Sequence, residues 1–149
     1  MTKLSTTLHI RWADIDANRH LRHSVYYDFA AAARMQFLHL QGLTSAKLEA
    51  FQIGPVLFRE EAIFRREIKL EDQITLDIFL IKASEDFGRW GLRHHFTKAE
   101  GTLATILNVE GAWIDLAKRK LAVPNEEVQK IFAAFPKSED FQWIVPTAK

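Results

Sequence analysis

Cysteine is missing from the chain, which excludes a disulfide framework, a thiolate nucleophile and a cysteine-rich zinc site together and fits a reducing compartment. No stretch approaches the ~18–20 apolar residues that cross a bilayer, and the opening residues Met1 to Thr6 lack the apolar region of a secretory signal. A soluble cytoplasmic protein with no membrane partner is therefore expected. An excess of one charge is lacking too: 20 Lys and Arg stand against 19 Asp and Glu, a net charge of +1. That balance points away from nucleic acid and leaves small charged ligands as partners. Internal repeats and linkers are also absent. What remains is 149 residues that are 48% apolar, read as one domain over 1–149 with one core that buries roughly 68–70% of the unfolded surface.

Leu8, Ile10 and Trp12 alternate with Thr7, His9 and Arg11, which predicts a half-buried first strand over Thr7 to Trp12. The polar stretch Ala13 to His23 has no periodicity and reads as a loop. Val25, Phe29, Ala32, Ala33, Phe37 and Leu40 then recur at helical spacing, giving one long helix with Ser24 as its cap, Asp28 at its positive end and Gly42 as its stop. Four consecutive alanines, Ala30 to Ala33, allow close approach to a sheet. Thr44 to Gln52 reads as a short helix. Four β-rich segments follow, about Val56–Ile68, Gln73–Lys82, Gly88–Lys98 and Leu103–Leu116, separated by turn-like breaks. A last helix runs from Pro124 to about Phe135, and 136–149 reads as an irregular tail. This order predicts an α+β domain in which an antiparallel sheet wraps a helix.

The loop carries the specific signal. Asp14-Ile15-Asp16, then His20, Tyr26 and Ala33-Arg34, resembles the motif of the 4-hydroxybenzoyl-CoA thioesterase-like hotdog family. Gly54-Pro55-Val56, Ile68 to Asp72 and Val123-Pro124 are similar to later family segments, so the resemblance covers about residues 5 to 135. It implies a hotdog fold, a five-stranded antiparallel sheet around a long central helix, assembled as a homodimer or homotetramer with the site at the subunit boundary. It also implies an acyl-CoA thioesterase, acting on a CoA or acyl carrier protein thioester, with no cofactor and no metal.

By that resemblance Asp16 is the catalytic carboxylate, as nucleophile or as general base for water. Chemically this fits, because a carboxylate facing a helix N-terminus sits where N–H groups can receive developing oxyanion charge. The same resemblance implies that the donor is the backbone N–H seven residues on, that of His23, whose side chain would orient water or substrate. Asp14 is assigned to structure, holding the loop through backbone hydrogen bonds. His20 is read as scaffold or substrate contact, and Tyr26 and Arg34 as anchors on the helix, Tyr26 beside the substrate. Coenzyme A carries phosphates, and by the same resemblance Lys82 and Arg89 are the cations that would bind it. Three positions depart from the family pattern: Arg19 stands where a Gly is usual, Arg22-His23 replaces an Asn pair, and Ala31 replaces a helix carboxylate.

His94 and His95 are neighbours in a strand and point to opposite faces, so they cannot share a metal and read as structural. Arg65-Arg66 and Lys118-Arg119-Lys120 read as solvated surface. A hydratase on the same fold would need an Asp and His four residues apart by intervening count, or a Glu on the long helix, and neither is present. No Gly-x-Ser-x-Gly elbow exists for an α/β-hydrolase. A non-catalytic protein that binds acyl thioesters remains as the alternative.

Overall fold

Ile74, Leu76, Ile78 and Leu80 alternate along one strand and are all fully buried, so the period-two pattern of that segment does what it predicts. The computed structural model describes residues 4–146. Its elements are β1 (Leu4–Thr7), α1 (Val25–Leu40), α2 (Ser45–Phe51), β2 (Ile53–Phe64), β3 (Ile74–Ala83), β4 (Arg89–Lys98), β5 (Leu103–Asp115), β6 (Lys120–Ala122), α3 (Glu126–Ala133) and β7 (Lys137–Trp143). The main path of the sheet is β1-β3-β4-β5-β2, antiparallel throughout. Its apolar side, with Phe96, Leu107 and Trp113, shares one core with Val25, Tyr26, Ala30, Ala33 and Phe37 of α1.

Several elements differ from the expectation. The first strand is Leu4–Thr7 rather than Thr7 to Trp12. Asp14 accepts hydrogen bonds from the backbone and side chain of Arg11, which turns the chain into a 3-10 turn at Trp12–Asp14 and leaves Trp12 79% exposed. The second strand ends at Phe64 rather than Ile68, because the N–H groups of Arg65 and Arg66 both converge on the Ala104 carbonyl while the Ile68 carbonyl accepts from Leu21. The tail is not irregular. β1 covers only the Thr75–Ile78 half of the outer edge of β3, and β7 pairs in parallel with the other half, from Leu80 to Ala83. Covering an otherwise open edge is a sufficient reason for a strand there.

The long helix has the predicted bounds, but its buried face is Val25, Tyr26, Ala30, Ala33, Arg34, Phe37 and Leu38. Ala32 and Leu40 of the predicted stripe are exposed. Gly42 does end the helix, at φ +94°. The Leu43 N–H bonds the Leu38 carbonyl and the Gly42 N–H bonds that of His39, the two bonds of a Schellman cap. Ser24 does not cap: it has helical backbone angles and its side chain makes no capping bond. Thr44 and Asn125 cap α2 and α3.

At the far edge lies β2, twelve residues with no outer neighbour among the described strands. Its register against β5 shifts between Leu57 and Arg59, a bulge that leaves Phe58 57% exposed. Gly111 stands opposite Leu57, and a Cβ there would lie 2.2 Å from the Val56 carbonyl oxygen.

Candidate active site

The loop Ile15–Leu21 is closed by its own backbone. Ile15 and Leu21 form an isolated antiparallel bridge, the Asp16 N–H donates to the His20 carbonyl at 2.8 Å, and the Arg19 N–H donates to the Asp16 carbonyl at 3.0 Å. Closing so tight a turn places Arg19 at φ +67°, a left-handed conformation that costs a residue with a Cβ about 1 kcal/mol or more. The position where the family pattern has Gly is thus the one that needs Gly-like freedom. The loop is anchored below by Leu21 N–H to the Ile68 carbonyl and by Arg22 N–H to the Asp14 carbonyl.

Asp14 and Asp16 are two residues apart and differ in every respect that matters. Asp14 is fully buried and spends its carboxylate on Arg11. The Arg11 guanidinium hydrogen bond holds its pKa below the usual carboxylate value, against the opposing effect of burial. Asp16 is half-buried. Its Oδ1 accepts from the backbone N–H groups of Asn18 at 2.9 Å and His20 at 3.1 Å, while Oδ2 has no hydrogen bond among the described residues. One oxygen fixes the carboxylate and the other is available.

Asp16, His20, His23 and Tyr26 together line a depression of about 310 Å³, closed on its far side by Phe64, Arg65, Arg66 and Glu67. His20 Nε2 lies 3.3 Å from Glu67 Oε2. Tyr26 packs edge-on against Phe64 and Phe96, with centroids 5.0 and 5.1 Å away, and burial raises its phenol pKa. The His23 side chain is exposed, and its backbone N–H has no partner among the described residues. Because Ser24 does not fold back as a cap, the N-terminus of α1 opens on this depression. A second hollow, on the other side of Asp16, is lined by Trp12, Arg19 and Lys69.

The family model of the thioesterase-like superfamily matches residues 10–132. The chain belongs to that superfamily. A search of curated proteins returned no match. Among solved structures, a hypothetical protein from Staphylococcus aureus in complex with CoA superposes with a TM-score of 0.81 at 20% identity, covering 97% of this chain and 96% of that one. A DHNA-CoA thioesterase from Staphylococcus aureus gives 0.79 at 18% identity over 89% and 90% of the two chains. A 1,4-dihydroxy-2-naphthoyl-CoA thioesterase from Synechocystis gives 0.79 at 16% over 89% and 97%. These likenesses establish the hotdog fold for this member of the superfamily.

Lys82 and Arg89 are not brought to the Asp16 loop within one chain. Lys82 stands opposite Gly91 near the C-terminal end of β3 and lines neither hollow at Asp16. Its ammonium pairs with Glu110, and Arg89 lies over the Phe58 ring at 5.7 Å. In place of those cations the chain itself brings Arg65 and Arg66 to the depression. They read as plain surface in the sequence because nothing there shows that β2 stops at Phe64 and turns toward the loop.

A second polar cluster of this superfamily member is internal. His94 is fully buried between Asp77 and Arg34: its Nδ1 is 3.1 Å from the Asp77 carbonyl oxygen and its Nε2 is 3.1 Å from Arg34 Nη1. The carbonyl can only accept and the guanidinium can only donate, so the ring is the neutral Nδ1–H tautomer. Burial, helped by the Arg34 charge, pushes its pKa down to about 3. His95 points to the opposite face, 5.1 Å from the Phe79 ring.

Proposed function

We propose that the protein hydrolyses the thioester of an acyl-CoA, with Asp16 as the group that attacks or activates water. The observation that carries this is the division of labour within one carboxylate: Oδ1 is held by two backbone N–H groups and Oδ2 is left open, on a residue that lines a depression together with the start of the long helix. As a base, Asp16 takes a proton from water as the water oxygen adds to the thioester carbonyl. The carbon–sulfur bond then breaks, the acid is released and the CoA thiolate takes up a proton. As a nucleophile, Oδ2 itself adds, the carbon–sulfur bond breaks to release the CoA thiolate, which takes up a proton, and water hydrolyses the resulting mixed anhydride to the acid and the free Asp16 carboxylate. In either course negative charge grows on the carbonyl oxygen, and the unpaired His23 N–H is the donor proposed to receive it. The His23 imidazole orients water or substrate, His20 and Tyr26 shape the acyl side, and Lys82 and Arg89 serve the CoA phosphates from a neighbouring copy. Superfamily membership and the CoA-bound relative support the substrate class. The lack of cysteine accords with a cytoplasmic setting.

A second copy completes the site. β2 is an unpaired edge that exposes Leu57, Phe58, Ile63 and Phe64, and two-fold pairing of one strand with itself is necessarily antiparallel. The Phe64 end beside Asp16 then adjoins the Pro55 end of the other copy, so each site draws on both. A homodimer is the least assembly this requires.

The test is a panel of acyl-CoA thioesters with wild type and Asp16→Asn. Turnover is expected in wild type and a loss of at least ~10²-fold in the variant, with its fold retained. Equal turnover in both removes Asp16 from the chemistry. CoA-ligand binding without hydrolysis in wild type would favour the non-catalytic reading, for which the specific observation is Ala31, an alanine at the position of a helix carboxylate.

A further inference from the structure

A separate cavity, of about 140 Å³, lies between α1, the Pro55 end of β2 and α3. Its size is close to the ~150 Å³ that accommodates one benzene-sized group. Most of its wall is apolar, from Met35, Leu57, Leu92 and Phe135 among others. Three lining residues carry polar side-chain atoms, Arg34, Trp90 and Trp113, and all three offer donors only. Apart from the weakly accepting Met35 sulfur, no side-chain acceptor lines the cavity.

Those donors are undersupplied. Trp90 and Trp113 are 3% and 0% exposed, and neither indole N–H has a partner among the described residues. Arg34 is 9% exposed and has one side-chain hydrogen bond, to a neutral histidine. No carboxylate forms an ion pair with it among the described residues. Glu60 acts on it only through space, and burial lowers its pKa. A cation so enclosed and unneutralised is costly to hold, and an anionic acceptor delivered into the cavity would offset that cost.

We propose that this cavity selects an acyl group whose far end bears a carboxylate, with Arg34 as the specificity-determining residue. This rests on the two-copy reading above, in which Asp16 of one copy meets the cavity of the other at the paired ends of β2. His94 positions Arg34 by accepting from Nη1, which leaves the rest of the guanidinium fork for the ligand. A bidentate guanidinium–carboxylate contact discriminates by charge and by shape.

The experiment compares matched thioesters that differ only at the far end: adipoyl-CoA against hexanoyl-CoA, and 4-carboxybenzoyl-CoA against 4-methylbenzoyl-CoA. Wild type is expected to favour the carboxylate member of at least one pair by roughly 10²-fold or more in kcat/KM, because a polar site built for one group rejects the analogue lacking it. In Arg34→Met that ratio should collapse toward one, and Arg34→Lys should restore part of it. Thermal melting of each variant separates misfolding from lost selectivity. Where Arg34→Met fails to fold, the wild-type ratio and the Lys variant decide. Hydrolysis of both members at similar rates overturns the inference and leaves the thioesterase reading standing. If nothing is hydrolysed, the same pairs are compared by ligand-induced shifts in Tm. A larger shift from the carboxylate member keeps the cavity assignment without the enzyme, and equal shifts overturn it.

Discussion

His94 makes the stability of the protein depend on pH, because its buried imidazole refuses a proton that the unfolded chain binds. In the folded state its pKa is about 3, while in the unfolded chain it returns to about 6.5. Between those values the unfolded state binds a proton that the folded state refuses, so stability is complete above pH 6.5 and falls as pH falls toward 3. Each unit is worth about 1.4 kcal/mol, so from pH 6.5 to 5 the loss is about 2 kcal/mol from this residue alone. The assay is the urea midpoint of wild type and His94→Gln at pH 7, 6 and 5. Gln keeps an acceptor for Arg34 and carries no titratable proton. It is expected to be less stable at pH 7, because the bond to the Asp77 carbonyl is lost, yet to show a flatter pH dependence. If both proteins lose the same stability between pH 7 and 5, the buried neutral imidazole is not the source and the tautomer argument fails with it.

Asp14→Asn should lower Tm while leaving turnover within a few-fold of wild type, because its carboxylate serves Arg11 rather than the depression; a large loss of turnover at unchanged Tm would reverse the roles of the two aspartates. Wild-type Asp14 has a depressed folded pKa, so its contribution is present above the ordinary carboxylate range and fades as pH drops below it. Gly111→Ala brings a Cβ to 2.2 Å from the Val56 carbonyl oxygen and 2.7 Å from the Trp90 ring, and overpacking of this kind costs about 1–3 kcal/mol or more. An unchanged denaturation midpoint would mean that the bulge of β2 yields freely. Phe58→Lys places a charge on the exposed edge and should give a folded monomer with little turnover; sedimentation as a dimer would show that the copies join elsewhere.

Residues whose fate is decided locally were legible in the sequence, and those decided across the fold were not. Alternating Ile74, Leu76, Ile78 and Leu80 could only be a strand with one buried face, and Gly42 could only be a helix stop. Asp14 and Asp16 were told apart by motif, Asp14 being assigned to structure, yet the partner that occupies the Asp14 carboxylate, the Arg11 guanidinium, was not foreseen. β7 escaped notice because Lys137 to Trp143 has no clean alternation. It is a strand because β1 is too short to cover β3, a fact about strand lengths rather than about the tail. Arg65 and Arg66 are exposed, as read, but their place on the depression that Asp16 lines follows from where the β2 ladder ends.

Arg34 shows most sharply where sequence reasoning stops. At eight residues from Tyr26, about 12 Å along the helix, it stands on the same buried face and reads as an anchor, and one bond to His94 agrees with that. An anchor alone, however, would need neither an enclosed position on an apolar cavity nor a neutral partner. A glutamine could tie helix to sheet at less desolvation cost, and a carboxylate at position 94 would neutralise the charge outright. The pairing of a buried cation with an imidazole that stays uncharged keeps the guanidinium oriented without cancelling its field. Such an arrangement gains its full stabilisation only when a ligand arrives with the missing charge. On that ground, saturating adipoyl-CoA is expected to raise Tm more than hexanoyl-CoA does, and in Arg34→Met the two shifts should become equal. Equal shifts in wild type would show that the folded chain, or its second copy, already neutralises Arg34.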